Sequence, residues 1–164
     1  MGVKRLAVNA GISISKAQEF WNKFFATYRG AHMWMEEVKR FVRKHGYVVN
    51  AFGRVRHLYH IFSDNPEVKA EAERQAINTI VQSSTSDFVL YSLQRVYKAL
   101  KDFNGYIIMT IHDSGIVECK DEQVDDFIPI MEKCMTEPVF HVNAPMRVDI
   151  AVGKRWGSLN ELER

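Results

Sequence analysis

Tyr106-Ile107-Ile108-Met109-Thr110-Ile111-His112-Asp113-Ser114-Gly115-Ile116-Val117 is two apolar runs with one short polar interruption. Runs rich in β-branched residues, parted this briefly, read as two strands joined by a tight turn. A lone carboxylate, Asp113, then stands at the tip. Asn104-Gly105 ends the helix before the hairpin. After it, Val124, Phe127, Ile128, Met131 and Met135 recur on one helical face from about Asp121, with Pro129 predicting a kink or a late start. Met146, Val148, Ile150 and Val152 alternate with Arg147, Asp149 and Ala151 as a closing strand.

Working upstream, Ser63-Asp64-Asn65-Pro66 starts a helix, with Pro66 suited to its first turn. It runs to about Gln82. Ser83-Ser84-Thr85-Ser86-Asp87 reads as a break and re-cap, because these residues favour caps over helix interiors. A second long helix then carries Val89, Leu93, Val96, Tyr97 and Leu100. Within the first, Arg74, Asn78 and Gln82 stand four apart and so drift only about 40° per step along one stripe. They make a row of hydrogen-bonding side chains, which also reads as a solvated helix face.

Earlier still, Ser15-Lys16-Ala17-Gln18 has the form of a capping box. Ala17, Phe20, Trp21, Phe24, Phe25 and Tyr28 follow at helical spacing and read as a core face closed by Gly30. The next helix sets Trp34, Val38, Phe41, Val42 and His45 against Lys39, Arg40, Arg43 and Lys44, and stops at Gly46. Residues 47–58 form a hairpin turning at Phe52-Gly53, where strand alternation points Arg54 and Arg56 to one face as phosphate contacts or as solvated side chains.

The 164 residues make one domain's worth of chain, and 46% hydrophobic composition rules out disorder. The net charge of +2 is unevenly spread: residues 1–60 hold eleven Lys/Arg against three Asp/Glu, and residues 61–164 hold eleven against seventeen. A basic part suits a polyanion, and an acidic part suits a cation-dependent site. Cys119 and Cys134 have no metal-ligand spacing and fit a reducing compartment. There is no apolar run near 18 residues and no signal-peptide core, so no membrane contact is expected.

Several stretches are similar to one family in its order. Glu73-Arg74-Gln75-Ala76-Ile77-Asn78-Thr79-Ile80-Val81-Gln82 with Ser83–Asp87 resembles the ERxAINxxxQGTAAD run of family A DNA polymerases, the bacterial polymerase I type. Ile111-His112-Asp113-Ser114 resembles its VHDE motif. Gly11–Gly30 resembles its LGIxxxEAQ stretch, Gly46–Arg56 its GYVxTLxGRRR hairpin, and Ile150–Gly157 its terminal VGxNWG. The family's first metal aspartate and its nucleotide-binding helix, RxxxKxxxFGxxYG, have no counterpart here. The resemblance is therefore to the C-terminal part of the polymerase module, phage-like and possibly split.

That resemblance implies an α+β fold, the C-terminal fingers/palm portion of a right-hand polymerase with helices on a small antiparallel sheet. Residues 1–60 would be fingers, and 61–164 palm. It implies template-directed transfer from dNTPs onto primer-template DNA, located inside a bacterial cell or phage-infected host. Asp113 would ligate Mg²⁺, which takes one or two carboxylates plus substrate phosphates. His112 would sit beside the primer terminus. Arg74, Asn78 and Gln82 would meet minor-groove acceptors present in every correct base pair, with Arg54 and Arg56 as further DNA contacts. Ser114 departs from the family's glutamate and cannot supply a second negative charge. The 164 residues alone are expected to be inactive, needing an N-terminal polymerase fragment with the other metal aspartate and the nucleotide-binding helix. The alternative is a non-catalytic duplex-binding or assembly subunit derived from a polymerase.

Overall fold

The computed structural model describes residues 2–139 and 145–162. The chain divides into two compact units, one formed by residues 1–49 and 55–79, the other by 50–54 and 80–164.

The first unit opens with α1 (Val3–Ala10) and α2 (Ile14–Thr27). They pack through the small buried residues Ala7 and Ala17. The N-cap of α2 is Ser13, whose Oγ accepts from Lys16 N–H at 3.2 Å, so the cap lies two residues before the expected Ser15. The break before α3 (Arg29–His45) falls at Tyr28, and Gly30 lies inside α3, not at the end of α2. The α2 aromatic face is core only in part: Trp21 and Phe25 are half-buried and pack edge to face at 4.8 Å. Phe20, Phe24 and Tyr28 are about half exposed, because only the small Ala17 seats against α1. Gly46 does end α3, at φ 72°, where an added Cβ would meet Phe62 Cε2 at 2.7 Å. Strands β1 (Tyr47–Val49) and β2 (Val55–His57) pair Tyr47 with His57, Val48 with Arg56 and Val49 with Val55. Val38, Val42, Val48, Leu58, Ile61, Ala72 and Ala76 are buried in this unit.

Helix α4 (Pro66–Ala99) starts at Pro66 as expected, but it is one continuous helix, with no break at Ser83–Asp87. The reason is local satisfaction. Ser84 Oγ–H donates to Ile80 O at 2.6 Å and Thr85 Oγ1–H to Val81 O at 3.2 Å, so these hydroxyls are served inside the helix instead of capping a new one.

In the second unit, the C-terminal half of α4 buries Val89, Leu93, Val96 and Leu100 with Phe127 and Met135 of α5 (Val124–Thr136). Tyr97, expected on that face, is exposed. Helix α5 begins after a 3₁₀ turn at Asp121–Gln123 and contains Pro129 in its interior. Arg95 on α4 donates to the Glu137 and Pro138 carbonyls at 2.8 and 3.3 Å, closing the α5 C-terminus. Strands β3 (Tyr106–Ile111) and β4 (Ser114–Glu118) form the expected hairpin. Ile107 pairs with Val117 but Met109 pairs with Ile116, so Ile108 is an extra residue in β3, a β-bulge. The closing strand is shorter than expected: only β5 (Ala151–Val152) pairs, with β6 (Asn160–Glu161). Residues 146, 148, 150 and 152 are nonetheless the more buried ones, as their alternation requires. The whole is α+β, helices with small antiparallel sheets.

Candidate functional site

The β3–β4 turn consists of His112 and Asp113 alone. His112 takes a positive φ of 53°, a conformation that histidine tolerates better than most non-glycine residues. Ser114 Oγ–H donates to Ile111 O at 2.8 Å, which closes the turn. Behind the tip, Gly115 lies so near α4 that an added Cβ would be 2.6 Å from Leu93 Cδ2. The hairpin is thus fixed against a buried helix residue two positions from the aspartate. Asp113 itself is exposed and has no hydrogen-bond or ion-pair partner among the described residues.

This carboxylate suits a hard cation: an oxygen donor on a rigid arm, free of other charges. Among the described residues, the hairpin tip offers that one carboxylate donor. No group of three or more His, Cys, Asp or Glu gathers into a cation site among the described residues, and the Ser114 hydroxyl proton is engaged by the backbone. The donors fit one shared ligand of a Mg²⁺ site, not the whole site.

Helix α4 carries Arg74, Asn78 and Gln82, all exposed. The Arg74 guanidinium donates twice to Glu71 Oε2 on its own helix, through Nε at 2.9 Å and through Nη2. This exposed pair is easily exchanged for another anion. Asn78 and Gln82 have no partner among the described residues. Within the second unit, Gln82 precedes Leu93 by eleven residues, three helical turns or about 16 Å. Gln82 therefore shares the α4 stripe on which the hairpin packs.

Arg54 and Arg56 both reach side chains of α4, in keeping with strand alternation. Arg54 lies in the turn before β2, and both side chains bond within the chain. Arg56 Nη1 donates to Thr79 Oγ1 at 2.7 Å in the first unit. Arg54 reaches Asp87 of the second unit through Nε at 3.1 Å and Nη2 at 2.5 Å. Asp87 is only 5% exposed and also accepts from Asn50 Nδ2 at 2.6 Å. Asn50 Oδ1 in turn accepts the Phe52 and Arg54 backbone N–H groups, each at 2.9 Å. Ser84 Oγ accepts from Ala51 N–H at 3.1 Å. The Arg54 hydrogen bond holds the Asp87 carboxyl below its usual range against the opposing effect of burial, with Asn50 adding to the lowering.

This Asn50–Arg54–Asp87 clamp is invisible to the sequence reading. One signal was available. Ser84 and Asp87 stand one helical turn apart on α4, so a helix that does not break there turns both toward a common neighbour.

Comparison with known proteins fits this geometry. The family model described as DNA polymerase family A matches residues 1–158. The chain is 26% identical over 95% of its length to the thermostable DNA polymerase I of Thermus filiformis, and covers 19% of that protein. It is 31% identical to DNA polymerase I of Borreliella burgdorferi, over 95% of this chain and 17% of that one. Identity is also 31% to DNA polymerase theta of Caenorhabditis elegans, over 97% of this chain and 10% of the relative. Among solved structures, the POL domain of Pol1 from M. smegmatis, in complex with DNA primer-template and dNTP, superposes with a TM-score of 0.77 at 26% identity. That match covers 82% of this chain and 24% of the other. The chain thus spans no more than about a fifth of the relatives it matches.

Proposed function

Because this chain belongs to DNA polymerase family A, we propose that it forms the C-terminal fingers-and-palm part of a DNA-directed DNA polymerase. In this reading residues 1–60 belong to the fingers and 61–164 to the palm. The observation that carries it is the exposed, unpartnered Asp113 carboxylate on a two-residue turn, held by Gly115 against Leu93. Asp113 would hold Mg²⁺ together with a carboxylate from polypeptide outside these 164 residues. Bound there, the cation would stabilise the charge that develops as the primer hydroxyl displaces pyrophosphate.

His112 presents its imidazole beside that carboxylate, toward the primer terminus. Asn78 and Gln82 donate to minor-groove acceptors that a mismatch would displace, and Arg74 exchanges Glu71 for the same groove. Arg54 and Arg56 add positive charge from side chains already steadied by Asp87 and Thr79. The groups that grip the incoming dNTP also come from outside the 164 residues.

The test is primer extension with this chain joined, by fusion or by mixing, to an upstream family A segment carrying the first metal aspartate and the nucleotide-binding helix. Extension should require this chain and vanish with Asp113→Ala. Gln82→Ala should raise misincorporation while leaving extension in place. Extension that survives Asp113→Ala removes this residue from the reaction. One observation favours a second reading, a non-catalytic duplex-binding subunit: the Ser114 hydroxyl closes its own turn, where the family carries a carboxylate. Duplex binding without extension in any such pairing would establish it.

A further inference from the structure

The first unit carries a ladder of five rings. His45 near the end of α3 lies 4.4 Å from Phe41 and 6.0 Å from Tyr47 by ring centroids. Tyr47 lies 5.9 Å from His57 across the β1–β2 pair. His57 then stacks on Tyr59 at 5.4 Å with only 7° between the planes. The hairpin register places Tyr47 and His57 on one face, while Val48 and Arg56 take the other. Phe41, His45, His57 and Tyr59 are exposed, Tyr59 to 72%.

Beside the ladder runs a shallow groove lined by Glu37, Arg40, Phe41, Lys44 and His45. Glu37 meets Arg40 only loosely, at 3.9 Å, and Lys44 has no ion-pair partner among the described residues. The rings thus sit in the basic part of the chain, next to two cations that could track a phosphate backbone.

Solvent-facing rings beside exposed cations match one ligand chemistry above others. Bases of an unpaired strand stack on aromatic faces whatever their identity, and cations follow the phosphates. A duplex keeps its base faces covered, and an apolar peptide has no use for Arg40 and Lys44. We propose that the Phe41–His45–Tyr47–His57–Tyr59 ladder, flanked by Arg40 and Lys44, binds unpaired DNA. The proposal rests on the polymerase reading and gives a place to the single strand, which the α4 row leaves unassigned.

The test measures anisotropy of a fluorescein-labelled oligothymidylate with the 164-residue chain. Tyr59→Ala should weaken binding about tenfold, and Tyr59→Phe should restore it. Lys44→Gln should flatten the salt dependence by about 0.7 in logarithmic slope. Tyr59 is too exposed for its removal to unfold the unit, and matched thermal melts check this. Gln82→Ala serves as the control, weakening duplex binding while leaving oligothymidylate binding intact. No binding by the parent chain would overturn the proposal. So would affinity indifferent to Tyr59→Ala and His57→Ala, or capture of an apolar peptide that displaces the oligonucleotide. If Gln82→Ala leaves duplex binding unchanged while the Tyr59 effect persists, the groove reading fails and the ladder stands.

Discussion

Asp87 and Asp113 are the same side chain in opposite circumstances. Asp87 is buried on α4 and accepts from Arg54 and Asn50. Asp113 is exposed on a hairpin tip and has no partner among the described residues. A carboxylate satisfied from within the chain holds the fold together and has no capacity left for a ligand. A carboxylate left open on a hairpin tip has its oxygens available to a ligand. Partner and burial, not residue type, separate the two roles.

Substitutions can break this contrast. The largest effect is expected from Asp113→Ala in a complete polymerase containing this chain. Extension should fall about a thousandfold, the loss of several kcal/mol of charge stabilisation. Stability should stay within about 0.5 kcal/mol of the parent in urea unfolding, as for surface sites generally. If Asp113→Ala instead destabilised the chain, the aspartate would be a structural turn residue.

Arg54→Ala should behave in the opposite sense. It strands the buried Asp87 carboxylate with Asn50 alone and should lower the urea midpoint by more than Asp113→Ala does, although the Arg54 side chain itself is largely exposed. Gly115→Ala tests the support of the tip. Its Cβ must displace the buried Leu93, so a loss of about 1 kcal/mol is expected, with a fall in extension beyond any change in the folded fraction.

The smallest effect concerns pH. The Asp87 carboxyl is held below its ordinary value of 3.8, so its contribution is complete above that value and is lost as pH falls through the lower, folded one. Urea midpoints at about pH 5 and pH 3 should therefore converge further for Asp87→Asn than for the parent. An unchanged acid sensitivity in Asp87→Asn would mean that another carboxylate governs it.

Much of this was readable in the residues. The β3–β4 hairpin followed from its two apolar runs, and the start of α4 from Pro66. The core stripe Val89–Leu93–Val96–Leu100 followed from helical period. These signals are local. What stayed hidden depends on distant partners. Asp87 bonds Asn50 across 37 positions, and the one-turn spacing of Ser84 and Asp87 says nothing of that partner, so residues that favour caps read as a cap. The α2 aromatics have the spacing of a core face, but whether a face is covered depends on which elements lie against it. The exposure of Arg74, Asn78 and Gln82 was consistent with their polarity.

The extra residue at Ile108 has one more consequence. Side chains in a strand alternate sides, so parity decides which way each one looks, and a single unpaired position resets the parity for everything beyond it. Losing one residue between Ile107 and His112 should swing the terminal carboxylate to the opposite surface, although the acid itself is untouched. Losing two should only shorten the arm. Counting, as much as chemistry, aims this acid.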